Sequence, residues 1–532
     1  MNSAFSSSRI FDVIVVGSGL TGSWVTRDLA EAGLSVLLLE AGPWLSSSNH
    51  SNVRNSDPTH REAFCGRQPV QSRHPAYWQT NPELFVDDLE NPYTVGPNSS
   101  FVWIRGRQVG GRGLTWGGVT LRFSDQEFRS PERDGFGERW PIAYSDLAPY
   151  YEKVEQTLQV RGSLDGLPQL PDGVFASPSA MTESELTFKR RVEEEWPQRK
   201  VVVSRGVTNP NSSADGAGCR SAGTPSTLIE AALRTRRLTL RPDAVVSHLV
   251  EDKSSPVVKG VACVDRTSGS AFEAFGRTVV LCASTIESVR ILLNSRSSRY
   301  PTGMGNSSGT LGKYLMDHCA MCVGGTLPPF TSPAPAHALS GCHSIVIPRY
   351  HNLKEAPAEF LRGYGIWGGL QRHPSPTAIN GTTWFLNALC EVLPRAENCV
   401  SISDNQVDAW GIPTPRITLR YTDNERRMLQ HAAGSLTEMT SAAGLRLEFR
   451  GATLPGQYVH ELGGARMGDN PATSVLNRDN QCWDLHNLFV LDGSCFVTSG
   501  WQNPSLTMMA IAARGADRIV DRFRQQWIAT PV

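Results

Sequence analysis

One short stretch near the start of the chain constrains the fold more than any other. Asp12-Val13-Ile14-Val15-Val16 is an apolar, β-branched run that leads into Gly17-Ser18-Gly19-Leu20-Thr21-Gly22. Such a run reads as a buried strand. After the glycines, Trp24, Val25, Leu29 and Ala32 recur at helical spacing, and Gly33 is a natural stop. Ser35 to Leu39 is a second strand, and it ends at Glu40. This is a complete β-α-β unit. Glycines at Gly17, Gly19 and Gly22 permit the tight turn, let backbone N–H groups approach a pyrophosphate and let the helix pack on the strand. The helix N-terminus offers the positive end of its dipole to the phosphates. A carboxylate at the end of the second strand accepts from ribose hydroxyls, the place Glu40 occupies. The unit predicts dinucleotide binding and does not by itself separate FAD from NAD.

Bulk properties exclude several other classes. Lys plus Arg and Asp plus Glu both number 51, so a chain of 532 residues has no net charge. It exerts no global pull on nucleic acid or on an anionic membrane. With 40% hydrophobic and 19% charged residues it can build a real core, as one large two-lobed enzyme or as two to three domains. The opening MNSAFSSSRIFDVIVVG lacks the charged and apolar regions of a signal peptide. No apolar run is long enough to span a bilayer, so the cytoplasm is the expected location. The 11 cysteines, scattered from Cys65 to Cys495, are expected as reduced thiols. Cys319 and Cys322 follow His318 in DHCAMC. They could be a redox or metal pair, but on a strand their odd spacing puts the two sulfurs on opposite faces. No metal site is expected.

Residues 44 to 100, rich in Ser, Asn, Pro and His, read as a long excursion serving as a lid or an interface arm. Trp103 to Phe123 is rich in Gly and Arg. Asp146 to Val160, Ser226 to Arg234 and Asn424 to Ala442 read as helices. Leu238–Leu240, Val245–Val250, Val257–Val264 and Thr278–Cys282 read as strands, the last leading into a helix that ends near Leu293.

Two C-terminal segments complete the candidate chemistry. His460 lies in VHELGGARMG and Asn503 in GWQNPSLT. Histidine is the natural base for an alcohol proton near neutral pH, and an amide beside it can hold the substrate oxygen. The β-α-β unit, WIRGRQVGGRGLTWGG, WPIAYSDLAPYYEKVE, VVLCASTIES, LGKYLMDH and HELGGARMG...LFVLDG...QNPSLT follow one another in an order that resembles the glucose–methanol–choline (GMC) oxidoreductases. Within that family the chain looks nearest to the bacterial glucoside 3-dehydrogenases and the gluconate or fructose dehydrogenase large subunits, with pyranose oxidase further off. The likeness covers roughly residues 10 to 160, 240 to 325 and 455 to 525.

The resemblance implies an α/β fold: a Rossmann-like FAD-binding domain over 1–160, 200–325 and 455–532, and a substrate-binding domain on an antiparallel sheet over 161–199 and 326–454. It implies FAD as cofactor, His460 as catalytic base and Asn503 as its partner. It places Gly110 and Gly111 in the loop along the flavin, within a segment that also carries Arg105, Thr115, Trp116 and Gly117. Val245 and Val246 fall where the family holds the adenine side, Asp492 near the ribityl and pyrophosphate, and Pro504 beside Asn503.

Two departures carry information. Some relatives attach the flavin to a histidine just before the corresponding tryptophan. Here Leu114-Thr115-Trp116 offers none, so the FAD is expected to be non-covalent. Dehydrogenase relatives hold an iron–sulfur centre with a cysteine cluster near 205–225, where this chain has only Cys219. One thiolate cannot hold such a cluster. The reading is therefore an FAD-dependent oxidoreductase that takes hydride from a sugar, glycoside or other polyol-like alcohol and passes electrons to oxygen or a diffusible acceptor. A tailoring oxidase of a secondary-metabolite alcohol, a flavin-containing lyase and a non-catalytic FAD-binding partner remain open at this stage. Substrate choice is expected to lie in residues 330–450.

Overall fold

The computed structural model describes residues 9–45, 64, 66–73, 78, 81–176, 180–207, 224–327, 345–353, 359–370 and 384–529. Cys219 and parts of the 44–100 excursion lie outside the described residues.

The strand Ile10–Val16 sits inside a seven-stranded sheet. It pairs in parallel with Val36–Leu39 on one side and with Ala271–Leu281 on the other. Leu238–Arg241 extends the parallel part beyond Val36–Leu39. Val13, Ile14 and Val15 are fully buried, which is why they read as one unbroken apolar run.

The expected strand Thr278–Cys282 is only the back of a longer one, Ala271–Leu281. Its front half alternates between exposed and buried positions and carries an antiparallel meander with Val258–Asp265 and Ala244–Glu251. Its back half pairs with Leu488–Val490 instead. Only the back half is buried continuously, so only it stood out as an apolar run. The helix Leu20–Glu31 packs against Pro225–Arg234 and Ser505–Ala529, while Thr285–Asn294 packs against Ala244–Glu251.

A second sheet has six strands in the order Phe449–Ala452, His318–Gly325, Trp384–Glu391, Tyr364–Leu370, Ile345–Ile347, Val202–Val203. Each pairing is antiparallel. Two of these strands, His318–Gly325 and Val202–Val203, come from segments that the sequence assigned to the FAD-binding domain. The domain boundaries there move accordingly. One face of this sheet packs on the helix Asp423–Ala442 through Val323, Ile366, Leu386 and Ala388. That helix begins with a capping box: the Glu425 carboxylate accepts from the Thr422 N–H and hydroxyl.

Cys399–Val407 and Pro413–Thr418, expected with the second lobe, instead form a three-stranded sheet with Thr94–Val95. It packs on the helix Thr285–Asn294. Cys319 and Cys322 lie on the strand His318–Gly325. Cys319 is buried in the core against the long helix, and Cys322 is half-buried. The described cysteines are all free thiols. Among the described residues no group of three or more His, Cys, Asp or Glu could hold a metal ion.

Candidate active site

A single cavity runs from Glu40 and Val246 at one end to His460 and Asn503 at the other. The glycine turn forms part of its wall. Gly17 has φ +94°, and a Cβ there would lie 2.4 Å from the Cys282 carbonyl oxygen. A Cβ at Gly22 would lie 1.8 Å from the Gly17 carbonyl oxygen, so the helix is seated against its own turn. Gly22 supports the wall without lining the cavity. Gly19 faces open space, so a side chain there would project into the cavity where a phosphate would approach the helix N-terminus.

Ser18, which the sequence reading passed over inside its own motif, is the bracket of this region. Its N–H and hydroxyl donate to Glu40 Oε2 at 3.1 and 2.6 Å, and its Oγ accepts from the Gly110 N–H at 2.9 Å. The Gly42 N–H donates to Glu40 Oε1. Burial raises the Glu40 carboxyl, and these hydrogen bonds oppose the rise. Gly110 thus shapes the loop from outside the cavity, while Arg105, Gly111, Thr115, Trp116 and Gly117 line it.

Arg105 and Arg107 are both held by Glu287, at 3.6 and 3.1 Å. Burial pushes the Glu287 carboxyl up, but Arg290, Arg107 and Arg105 outweigh it and hold it at about 2. Asp492 accepts from the Ser494 N–H and hydroxyl and from the Ser288 hydroxyl. It lines the middle of the cavity.

These residues fit an FAD. The turn is shaped for a pyrophosphate, a carboxylate stands at the ribose end, and polar atoms of the lining lack protein partners. Trp116 Nε1, Arg105 Nε and Asn503 Oδ1 are buried without a hydrogen bond, and such atoms are costly unless a ligand satisfies them. The described part of the 44–100 excursion contributes to the wall of this cavity. Trp78, Leu84, Phe85, Val102 and Ile104 form a small core with Leu114 and Val459 packed against it, and Phe85 and Val86 line the cavity.

At the far end His460 and Asn503 meet: Asn503 Nδ2 lies 3.4 Å from His460 Nε2. The other ring nitrogen, His460 Nδ1, lies 2.8 Å from His318 Nδ1. His318 Nε2 lies 2.9 Å from the Gly500 carbonyl oxygen. A carbonyl only accepts, so His318 carries its proton on Nε2. Burial lowers the His318 imidazole to about 4, against the opposing bond to Gly500, so it is neutral and its Nδ1 is an acceptor. His460 must then donate from Nδ1, which leaves Nε2 as an acceptor that faces the Asn503 Nδ2–H group at 3.4 Å.

The loop that carries His460 is pinned by Asp317, whose carboxylate accepts from the His460 and Gly456 N–H groups. Burial, with Glu461 nearby, pushes the Asp317 carboxyl up to about 7. Glu461 itself pairs with Arg112 at 2.8 Å. His318 and Asp317 were legible only as part of LGKYLMDH. Reading His318 merely as the neighbour of a cysteine pair missed its role.

Comparison with known proteins agrees with this architecture. The GMC oxidoreductase N-terminal model matches residues 11–320 and the C-terminal model residues 394–512. The chain belongs to the GMC oxidoreductase family and is an FAD-dependent enzyme. It is similar to the 2-methyl-1,2-propanediol dehydrogenase of Mycolicibacterium austroafricanum, at 28% identity over 96% of this chain and 95% of that one. It is also similar to the C-glycoside 3-oxidase of Arthrobacter globiformis, at 26% identity over 96% and 95%. Its fold matches formate oxidase of Aspergillus oryzae RIB40 with a TM-score of 0.68, at 14% identity over 98% of this chain and 100% of that one.

Proposed function

We propose that this enzyme oxidises a CH–OH group of a sugar, glycoside or other polyol-like alcohol, with His460 as the base and Asn503 as the group that orients the substrate oxygen. The observation that carries the proposal is the histidine pair. His318 fixes the proton of His460 on Nδ1 and so turns a lone pair on Nε2 toward Asn503. Bound FAD supplies the acceptor for the carbon's hydride. The chain supplies the rest. Nε2 takes the hydroxyl proton, Asn503 holds the oxygen, and the carbonyl product forms as the C–H and O–H bonds are lost. A positioned base of this kind contributes about 10²–10⁴-fold.

The alcohol class is supported by the names of the relatives, one acting on a diol and another on a C-glycoside. Non-covalent FAD is supported by Thr115 standing before Trp116. Oxygen or a diffusible acceptor is supported by the lone Cys219. A panel of alcohols, sugars and glycosides mixed anaerobically with the holoenzyme tests the proposal. Oxidation bleaches the flavin absorbance. A lyase acting through the same histidine would turn substrate over with the flavin spectrum intact, and that result would refute it.

A further inference from the structure

The turn that leads into His460 adopts a backbone that one of its own residues disfavours. Val459 sits at φ +60°. Of the described residues other than glycine in that left-handed region, it is the one that branches at Cβ, and a branched side chain tolerates the region least. Such strain persists only where the surroundings over-determine it.

The surroundings act on Val459 in two ways. Hydrogen bonds close the turn. The Val459 N–H donates to the Gly456 carbonyl at 3.1 Å, and the Asp317 carboxylate accepts from the Gly456 N–H at 2.9 Å and the His460 N–H at 3.0 Å. All of these donors are backbone groups, so they favour the turn without favouring valine in it. The side chain supplies the second hold. Val459 packs against the small core of Trp78, Leu84, Phe85, Val102 and Ile104. The turn docks on the same core, where the Val102 N–H donates to the Pro455 carbonyl at 2.9 Å. Val459 also lines the cavity, together with Phe85 and His460. Its φ and ψ set the direction in which the chain enters His460. Relaxing them would draw the His460 N–H from Asp317 and the ring from His318 and Asn503.

We infer that Val459 is a positioning residue: the small core grips its side chain, holds its backbone in the strained conformation and so aims the His460 imidazole into the cavity. The inference rests on His460 being the base, as proposed above. It makes the packing of the 44–100 excursion, through Trp78, Leu84 and Phe85, a condition for a well-placed base.

The test compares two truncations in the FAD-replete holoenzyme. Alanine loses the grip and keeps a Cβ that disfavours the left-handed region. Glycine loses the grip too, but holds that region without strain. Anaerobic flavin reduction is followed with methyl β-glucopyranoside or 1,2-propanediol, whichever bleaches the wild-type enzyme faster, and melting temperature is measured alongside. Val459→Ala should lower the limiting rate by up to about 10²-fold, the cost of a small misplacement of a reacting group, and should melt below Val459→Gly. Val459→Gly should keep most of the wild-type rate. If Val459 only filled space, the larger truncation would do more harm, so a glycine variant that is slower and melts lower than the alanine variant overturns the inference. A second variant probes the grip from the other side. Leu84→Ala, in the small core and outside the cavity lining, should slow reduction when Val459 is present and add little in the Val459→Gly background. Equal slowing in both backgrounds also overturns the inference. Failure of the base assignment would appear elsewhere, as an undiminished limiting rate in His460→Ala.

Discussion

In the proposed reaction the proton on His318 decides which nitrogen of His460 faces the substrate. Replacing His318 by Leu removes the acceptor for His460 Nδ1 and lets the imidazole change tautomer and tilt. Small misplacements of reacting groups cost about 10²-fold, so the limiting rate of flavin reduction should fall by roughly that factor while FAD stays bound. His318→Gln can still donate to the Gly500 carbonyl and accept from His460, and should recover part of the loss. A rate unchanged by the leucine substitution, measured by stopped flow, would remove His318 from the account. The depressed His318 value also has a thermodynamic signature. Its folded value of about 4 lies below the ordinary imidazole value of 6.5, so between these pH values the unfolded chain binds a proton that the folded one does not. Its contribution to stability is complete above pH 6.5 and is lost as pH falls toward about 4. Asp317 acts in the opposite sense. Its carboxyl is raised from 3.8 to about 7, so its contribution is present at low pH and is lost as pH rises through that window. Melting temperature followed from pH 4 to 6.5 should therefore drop less on acidification in His318→Gln than in the wild type. Equal slopes would count against the neutral buried histidine.

The element shaped to receive the cofactor's pyrophosphate is a turn, and its tolerances are those of backbone atoms. Gly22→Ala would set a methyl group 1.8 Å from the Gly17 carbonyl oxygen, and neither backbone can yield without opening the turn. A loss of about 3 kcal/mol or more in stability is expected, together with a lower flavin-to-protein ratio in the purified enzyme. Full flavin content and unchanged melting would contradict this. Here the sequence was most legible, because glycine turn, apolar strand and amphipathic helix all obey local rules. The long strand Ala271–Leu281 was only half legible. Its front pairs within a meander open to solvent on one side, which leaves an alternation too short to stand out. His318–Gly325 was grouped with the FAD-binding segments and not with the second sheet, because strand partners so distant in sequence leave no local trace. His460 and Asn503 were legible only through the order of motifs along the chain, whereas the contact of His318 with His460 joins residues 142 apart in sequence and no single segment encodes it.

At the scale of the whole molecule one cavity runs from the glycine turn and Glu40 to His460 and Asn503, with Phe85 and Val86 of the 44–100 excursion in its wall. No helix among the described residues is long and apolar enough to cross a membrane. The flavin should come away freely. Acid precipitation is expected to leave all the yellow colour in the supernatant, and colour held in a washed pellet would overturn the non-covalent assignment. Iron analysis of anaerobically prepared enzyme should find no stoichiometric iron, and a broad visible band of an iron–sulfur centre would contradict the electron route drawn from Cys219. The central claim is that His460, presented by His318 and Asn503, takes the alcohol proton. It is tested most directly by anaerobic stopped-flow reduction of the flavin in His460→Ala, at saturating concentration of an alcohol that bleaches the wild-type enzyme. The account predicts a limiting rate lower by about 10²–10⁴-fold with FAD fully bound. Reduction at the wild-type rate would show that another group is the base.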